Sequence, residues 1–201
     1  GVLIDATNQD KQLADTAMAL AGSPRPVFEA SFEADGVLVR ADLLLPDAGG
    51  YRLVEVKSAA KVKPHYLDDA AIQAWVIRKA GIPVTRVEVA VVDTSFTYLG
   101  DGDYTGLLKH VDVTVATRSF ESQIPGWVNA ARETLASKEP LIDVGDHCEE
   151  PNRCPFFPSC APKRLAGAHA DYPVEILPHA DELAIDLRIE GYGDMREVPP
   201  Y

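Results

Sequence analysis

Charged side chains interrupt two largely apolar runs in the first third of the chain, and three of them are of types that could bind a metal ion or act on a phosphate. Asp42 lies within VLVRADLLL, and Glu55 and Lys57 stand at the end of YRLVEVK. Turn-forming residues at 46–50 separate the two runs, which predicts a β-hairpin. Glu55 and Lys57 are two residues apart, so they project from the same face of their strand. Because an unpaired charge in an apolar strand is costly, we expect the three to pair with one another and with a divalent metal ion.

An aspartate in one strand followed by Glu-x-Lys in the next resembles the PD-(D/E)XK nuclease superfamily, with Ala41 in the position of the proline. The resemblance implies that Asp42 and Glu55 bind Mg²⁺ or Mn²⁺, with the carbonyl oxygen of Val56 as a further ligand, and that a water molecule is activated there for attack on phosphorus. Lys57 would orient or help to deprotonate that water and offset charge on the phosphoryl group. A surface salt bridge on an edge strand is the alternative, since this spacing also arises by chance.

The order of the predicted elements resembles the same family. Helical spacing predicts a first helix at 9–21, alternation predicts a strand at 26–34 that enters the hairpin through Asp35-Gly36, and a second helix at 66–80 precedes a buried strand at 84–93. The predicted buried stripe of the first helix is Leu13, Ala14, Ala17, Met18 and Ala21. The expected fold is therefore α/β, a restriction-endonuclease-like core of helix, three antiparallel strands, helix and parallel strand, with a C-terminal helical and cysteine-rich extension.

Two further side chains are candidate catalytic residues. Gln73 lies in the helix after the Glu-x-Lys strand, similar to RecB-type nucleases, although the tyrosine expected four residues later is Ile77 here. Glu29 is either the additional acidic residue that many members of the superfamily carry near the metal ion or a solvent-facing strand residue. Asp69 lies one turn before Gln73 on the same helix. For Asp68 and Asp69, a polar face of an exposed helix is a plausible interpretation.

All three cysteines of the chain, Cys148, Cys154 and Cys160, lie within HCEEPNRCPFFPSC. An odd number in a cytosolic setting disfavours disulfides and favours metal or cluster binding. Two interpretations stay open, a Zn²⁺ site completed by His147 and a [4Fe–4S] cluster whose fourth cysteine lies outside this chain. A RecB-like core with a late three-cysteine segment resembles the iron–sulfur nucleases of the superfamily, which include CRISPR-associated exonucleases and AddB-type nuclease domains. We therefore expect an N-terminally truncated piece of a larger bacterial protein.

Composition limits the remaining function classes. The 201 residues carry a net charge of −12, which argues against a protein that mainly coats nucleic acid. A local basic segment does occur at 57–67, with Lys57, Lys61, Lys63 and His65 and no acidic residue, although a solvated loop is the more ordinary interpretation of such a segment. No apolar run is long enough for a membrane span and no leader is evident, so the expected location is the cytoplasm.

Three segments are expected: a nuclease-like core at 1–118, a helix plus the cysteines at 119–165 with its helix at 119–137, and a tail at 166–201. The resemblance implies a metal-dependent deoxyribonuclease whose partners are DNA and further domains of a longer chain on both sides. A catalytically silent nucleic-acid-binding module of nuclease fold and a structural iron–sulfur or zinc domain are the alternatives.

Overall fold

The computed structural model of the protein describes residues 1–139, 142, 145–149, 152–157, 160, 171–176 and 181–199. The chain divides into two compact units, Gly1–Lys138 and Glu139–Tyr201. Within the described part of the chain, no helix is long and apolar enough to cross a membrane.

The first unit is an α/β domain of six strands and four helices. Its strands are β1 (Val2–Leu3), β2 (Val27–Ala34), β3 (Val37–Asp47), β4 (Gly50–Lys57), β5 (Val84–Val92) and β6 (Leu108–Asp112). Its helices are α1 (Gln9–Ala21), α2 (Pro64–Lys79), α3 (Thr114–Phe120) and α4 (Ile124–Ala136).

The six strands form one mixed sheet in the order β1-β2-β3-β4-β5-β6. β2, β3 and β4 are antiparallel neighbours, whereas β4 and β5 are parallel and are connected through α2. This pairing confirms the predicted hairpins and the predicted parallel crossover. The apolar side of α2 is buried in the core, where its residues Ala70, Ala71, Ala74 and Ile77 join the buried side chains of the sheet. That packing brings the polar positions of α2 next to the end of β4.

Tight turns set the register of the three antiparallel strands. Asp35 and Gly36 both have positive φ, 49° and 65°, and connect Ala34 of β2 to its register partner Val37 of β3. This is the geometry that Asp-Gly favours in two-residue hairpin loops, as the sequence predicts. The β3–β4 turn is shorter than predicted, since Asp47 still pairs with Gly50.

β2 and β3 change phase together near their middle. The buried side chains of each strand are separated by three residues at this point instead of two: Val27 and Ala30 in β2, Ala41 and Leu44 in β3. Glu29 and Asp42 lie inside these two intervals, opposite each other in the register set by Phe28–Leu43 and Ala30–Ala41. Glu29 has φ 58°, a left-handed conformation that is uncommon for a residue with a side chain. The irregularity therefore coincides with two of the predicted site residues.

The predicted buried face of α1 was wrong. The helix buries Gln12, Thr16 and Ala19, while Met18 of the predicted stripe is 67% exposed. Polar residues face the sheet here because they satisfy backbone groups: the amide of Gln12 donates to the Ala6 carbonyl, and the Thr16 hydroxyl oxygen accepts from the Ser31 N–H. Alanine-rich helices give a weak apolar contrast, so the periodicity alone selected the wrong side.

The region after β5 also differs from the prediction. The expected helix at 119–137 is two helices, α3 and α4, because Pro125 fits only in the first turn of a helix and α4 therefore begins at Ile124. Both helices lie in the first unit. The outer end of α4 is not buried, since Leu135 is 86% exposed. The short strands β1 and β6 carry too few alternating apolar residues to be recognised in the sequence.

Among its described residues, the second unit has a short helix, α5 (Asp181–Ile189), and three 3₁₀ turns at Asp146–Cys148, Val174–Ile176 and Met195–Glu197. Val174, Ala184 and Leu187 form a small apolar cluster in it. The cysteine segment belongs to this unit.

Candidate functional site

Asp42 occupies the point where β3 and β4 stop pairing. The ladder between these strands ends at Leu43 and Val54, although β4 continues to Lys57 beside β5. The Oδ2 atom of Asp42 accepts a hydrogen bond of 2.7 Å from the N–H of Val56. The carboxylate thus replaces the backbone partner that β4 loses there. Val56 contributes its N–H to this contact, and the predicted role of its carbonyl oxygen stays a prediction.

Glu55 is the most buried acidic residue of the site, with 5% of its surface exposed. Its Oε1 atom accepts from the Lys57 ammonium at 2.7 Å, and its Oε2 atom accepts from Gln73 Nε2 at 2.8 Å. Both carboxylate oxygens therefore have a donor, one from β4 itself and one from α2. The structure brings these three predicted residues into direct contact.

Asp69 completes a closed polar ring. Its Oδ2 atom accepts from Lys57 Nζ at 2.6 Å and its Oδ1 atom from Gln73 Nε2 at 3.2 Å. Glu55, Lys57, Asp69 and Gln73 thus form a cycle, called the polar ring below, in which the two carboxylates share two donors. The aromatic ring of Tyr66 lies beside it, with its centroid 5.3 Å from Lys57 Nζ.

The carboxylates of the site outnumber its cations. Burial raises the pKa of Glu55 to about 7; hydrogen bonds from Lys57 and Gln73 oppose this shift, and the charges of Asp42 and Asp69 reinforce it. For Lys57, burial would lower the pKa, but hydrogen bonds to Asp69 and Glu55 outweigh burial and hold it above its usual range. Burial would raise the pKa of Asp69, yet the bonds from Lys57 and Gln73 hold it below its usual value.

Gln73 contains an unpaired acceptor. Its Oε1 atom is buried and has no hydrogen-bond partner within the described residues. Buried polar atoms are normally paired, so such an atom indicates a missing partner such as water or an ion. The nitrogen of the same amide group donates to the polar ring, so the unpaired oxygen lies next to that ring.

Glu29 is half-buried and sits opposite Asp42, as described above. Its side chain makes no hydrogen bond or ion pair with any described residue, so the structure does not link it to the polar ring. A left-handed conformation at a residue with a side chain costs about 1 kcal/mol or more, and such strain is often found at functional sites. Its proposed role near a metal ion stays a prediction.

The donor chemistry of this site fits Mg²⁺ or Mn²⁺. Two carboxylates, Asp42 and Glu55, come from adjacent strands, and Mg²⁺ commonly takes one or two carboxylates and completes its shell with water and substrate phosphate. Among the described residues, no three His, Cys, Asp or Glu side chains are gathered as a metal ion held by protein ligands alone would require. The arrangement therefore suits an open site, in which water and phosphate supply the remaining ligands, better than a closed structural one.

The cysteine segment has a different character. Cys148 is buried and Cys154 and Cys160 are half-buried, all three as free thiols. The Cys154 N–H donates to the Cys148 carbonyl at 2.7 Å. The thiols are not gathered with one another or with His147 into a ligand set. Cluster binding and zinc binding both stay predictions from the sequence.

Asp69 and Tyr66 belong to the site although neither was predicted as a site residue. Asp69 precedes Gln73 by four residues, and side chains at this spacing are neighbours on a helix. The contact of Gln73 with both carboxylates follows from that spacing once α2 is packed against β4. The sequence shows this spacing, but a polar face of an exposed helix also accounts for it, so the spacing alone does not assign Asp69 to the site.

Comparison with known proteins returns no match to this chain, either among protein-family models or among curated proteins.

Proposed function

We propose that this chain is a divalent-metal-dependent deoxyribonuclease with a core of the PD-(D/E)XK type. The observation that carries the proposal is the charge of the site: Glu55 and Asp69 share the ammonium of Lys57, and the charge of Asp42 also acts on Glu55. An excess of negative charge around the buried Glu55 favours an additional cation, and carboxylate oxygens favour Mg²⁺ or Mn²⁺. The element order of the first unit, a helix, three antiparallel strands, a helix and a parallel strand, supports the assignment.

Asp42 and Glu55 would hold the metal ion at the end of β4. When bound, the ion supplies a polarised water and neutralises charge on the phosphate. Asp42 is positioned by its hydrogen bond to the Val56 N–H, so its carboxylate is fixed before any ligand arrives. Glu55 must lose its proton to act as a ligand, and its raised pKa places this change near neutrality.

Lys57 would act as a hydrogen-bond donor and a positive charge. Because its pKa is held above the usual range, the ammonium stays protonated at neutral pH and does not serve as a base. It would orient the attacking water and stabilise the negative charge that develops on the phosphoryl oxygens as the new P–O bond forms and the old one breaks. The attacking water releases its proton to solvent, and the leaving oxygen takes a proton from solvent.

A basic loop next to the site suits the phosphate backbone of DNA. Lys61 and Lys63 lie between β4 and α2, both exposed and both without an ion-pair partner in the described part of the chain. The first turn of α2 contains no acidic residue, so the positive end of the helix dipole reinforces the charge of the loop. The overall negative charge of the chain is thus compatible with local attraction of phosphate.

The test is cleavage of end-labelled single- and double-stranded DNA by the 201-residue chain with Mg²⁺, with Mn²⁺ and with EDTA. The metal-supplemented protein should cut and the EDTA-treated protein should not. Lys57→Ala should lower the rate at least about 100-fold, since it removes a preorganised charge from the transition state. Lys79→Ala is the matched control, because Lys79 pairs with Asp35 and lies over Trp75 instead. Metal-independent cutting, or equal rates in Lys57→Ala and the wild type, would contradict the proposal, and DNA binding without cleavage would favour a silent module.

A further inference from the structure

The ammonium of Lys57 is divided between two carboxylates. Its Nζ atom is 2.7 Å from Glu55 Oε1 and 2.6 Å from Asp69 Oδ2, so the geometry does not favour either partner. The two carboxylates differ in location. Glu55 is almost fully buried at the end of β4, whereas the side chain of Asp69 is 43% exposed on α2. Only Glu55 belongs to the pair of carboxylates assigned above to the metal ion.

A metal ion at Glu55 would compete with Lys57 for the same carboxylate. An ammonium that loses its only anionic partner in a partly buried site must either reorganise or hold the carboxylate against the metal ion. Asp69 removes this conflict, because it offers Lys57 a second partner on a different element. Gln73 Nε2 bonds to both carboxylates and so keeps Asp69 at the correct distance from Glu55.

We infer that Asp69 is a positioning residue that retains the Lys57 ammonium beside the site when Glu55 turns to the divalent metal ion. Asp69 itself touches neither the metal ion nor the substrate in this account, and it acts through Lys57. The inference rests on the proposed function. It assigns a role to a helix residue that the Glu-x-Lys pattern does not include.

A purely structural role of Asp69 has other consequences than a role that acts through Lys57. Asp69 also links α2 to β4 through the polar ring, so its loss could lower stability without any effect on metal binding. Its negative charge could also attract cations from a distance, whether or not Lys57 is present. A double-mutant cycle separates these roles, because only a residue acting through Lys57 loses its effect when Lys57 is removed.

The experiment is calorimetric titration of Mn²⁺ into the 201-residue chain, with melting temperature as a check on folding. Asp69→Asn should weaken Mn²⁺ binding about tenfold in the wild-type background, because Lys57 then depends on Glu55 alone. In the Lys57→Ala background the same substitution should change binding at most about twofold. Asp68→Asn is the matched control, since Asp68 is the neighbouring helix residue and makes no contact with the ring.

Cleavage kinetics at saturating Mn²⁺ provide a second readout. Asp69→Asn should lower kcat with little change in KM, and Asp69→Glu, which keeps the charge on a longer side chain, should restore Mn²⁺ affinity and part of kcat. If Asp69→Asn does not fold, Asp69→Glu in both backgrounds still tests the inference, because a loss of Mn²⁺ affinity in that variant that is as large without Lys57 as with it would overturn it.

The possible failures are distinguishable. The control Asp68→Asn should bind Mn²⁺ like the wild type. If Asp69→Asn also binds like the wild type, or if its effect is equal in both backgrounds, the inference is overturned and the proposed nuclease stays intact. Absence of Mn²⁺ binding by the wild type would overturn both.

Discussion

Two buried glutamates on adjacent strands of the sheet have opposite surroundings. Glu55 of β4 pairs in register with Val89 of β5, and Glu88 precedes that valine, so the two carboxylates point to opposite faces. Glu88 is 4% exposed and is surrounded by cationic or potentially cationic groups: Arg52 at 3.1 Å, His110 at 2.9 Å and Arg86 at 3.7 Å. Glu55 shares one ammonium with Asp69 and lies close enough to Asp42 to be affected by its charge.

The difference in charge balance indicates a difference in role. One carboxylate among two guanidinium groups and an imidazole is already neutralised, so the group at Glu88 has no need of a further cation. Glu55 and Asp69 share one ammonium while the charge of Asp42 also acts on Glu55, so these three carboxylates are not neutralised, and burial of Glu55 makes the excess more costly. Burial alone therefore does not identify a functional acid. What identifies a functional acid is the negative charge that its neighbours leave uncompensated.

The largest expected effect in this comparison is on stability. Glu88→Gln should lower the free energy of unfolding at pH 8 by about 3 kcal/mol, because it leaves Arg52 and Arg86 close together without their shared anion. Glu55→Gln should change it little or raise it slightly, since the amide relieves repulsion from Asp42 and Asp69. Urea denaturation of both variants beside the wild type measures this. A larger loss in Glu55→Gln than in Glu88→Gln would show that the two sites are not distinguished by charge balance.

A smaller effect is expected in the pH dependence of stability. The pKa of Glu55 is raised in the folded state to about 7 from an ordinary value of 4.5, so the folded protein retains a proton that the unfolded chain releases. This contribution is fully present below about pH 4.5 and is lost as the pH rises through about 7. Stability of the metal-free protein should therefore fall by about 2 kcal/mol between pH 5 and pH 8 through this group.

Glu55→Gln is the control for that prediction, and denaturant titrations at several pH values are the measurement. The free energy of unfolding of this variant should change less with pH over the same range than that of the wild type. In Glu88→Gln the free energy of unfolding should fall with pH as steeply as in the wild type. If Glu55→Gln shows that same fall, the proton belongs to another group.

Much of the first unit could be predicted because its signals are local. Alternation identifies β2 to β4, the Asp35-Gly36 turn sets the register of β2 and β3, and the apolar stripe gives α2, which begins at Pro64 instead of the predicted residue 66. The buried face of α1 could not be predicted, because Thr16 and Gln12 are buried through hydrogen bonds to backbone groups outside the helix. Propensity and periodicity contain no information about such partners.

The site could be predicted only in part for a similar reason. Asp42, Glu55 and Lys57 stand out as charges in apolar strands, but Glu88 stands in an equally apolar strand and has a different role. Which cations surround each glutamate depends on strand order and register, because Arg52 and His110 reach Glu88 from the strands on either side of β5. Asp69 enters the site through the packing of α2, a tertiary contact that the strand motif alone does not predict.

The central claim, that the acidic excess around Glu55 is a binding site for a divalent cation, is tested most directly by calorimetric titration of Mn²⁺ at pH 7.5. The wild type should bind one ion, Asp42→Asn should lose most of that affinity, and Asp47→Asn, which removes an acid at the other end of the same strand, should bind like the wild type. Equal binding by the wild type and Asp42→Asn would contradict the account.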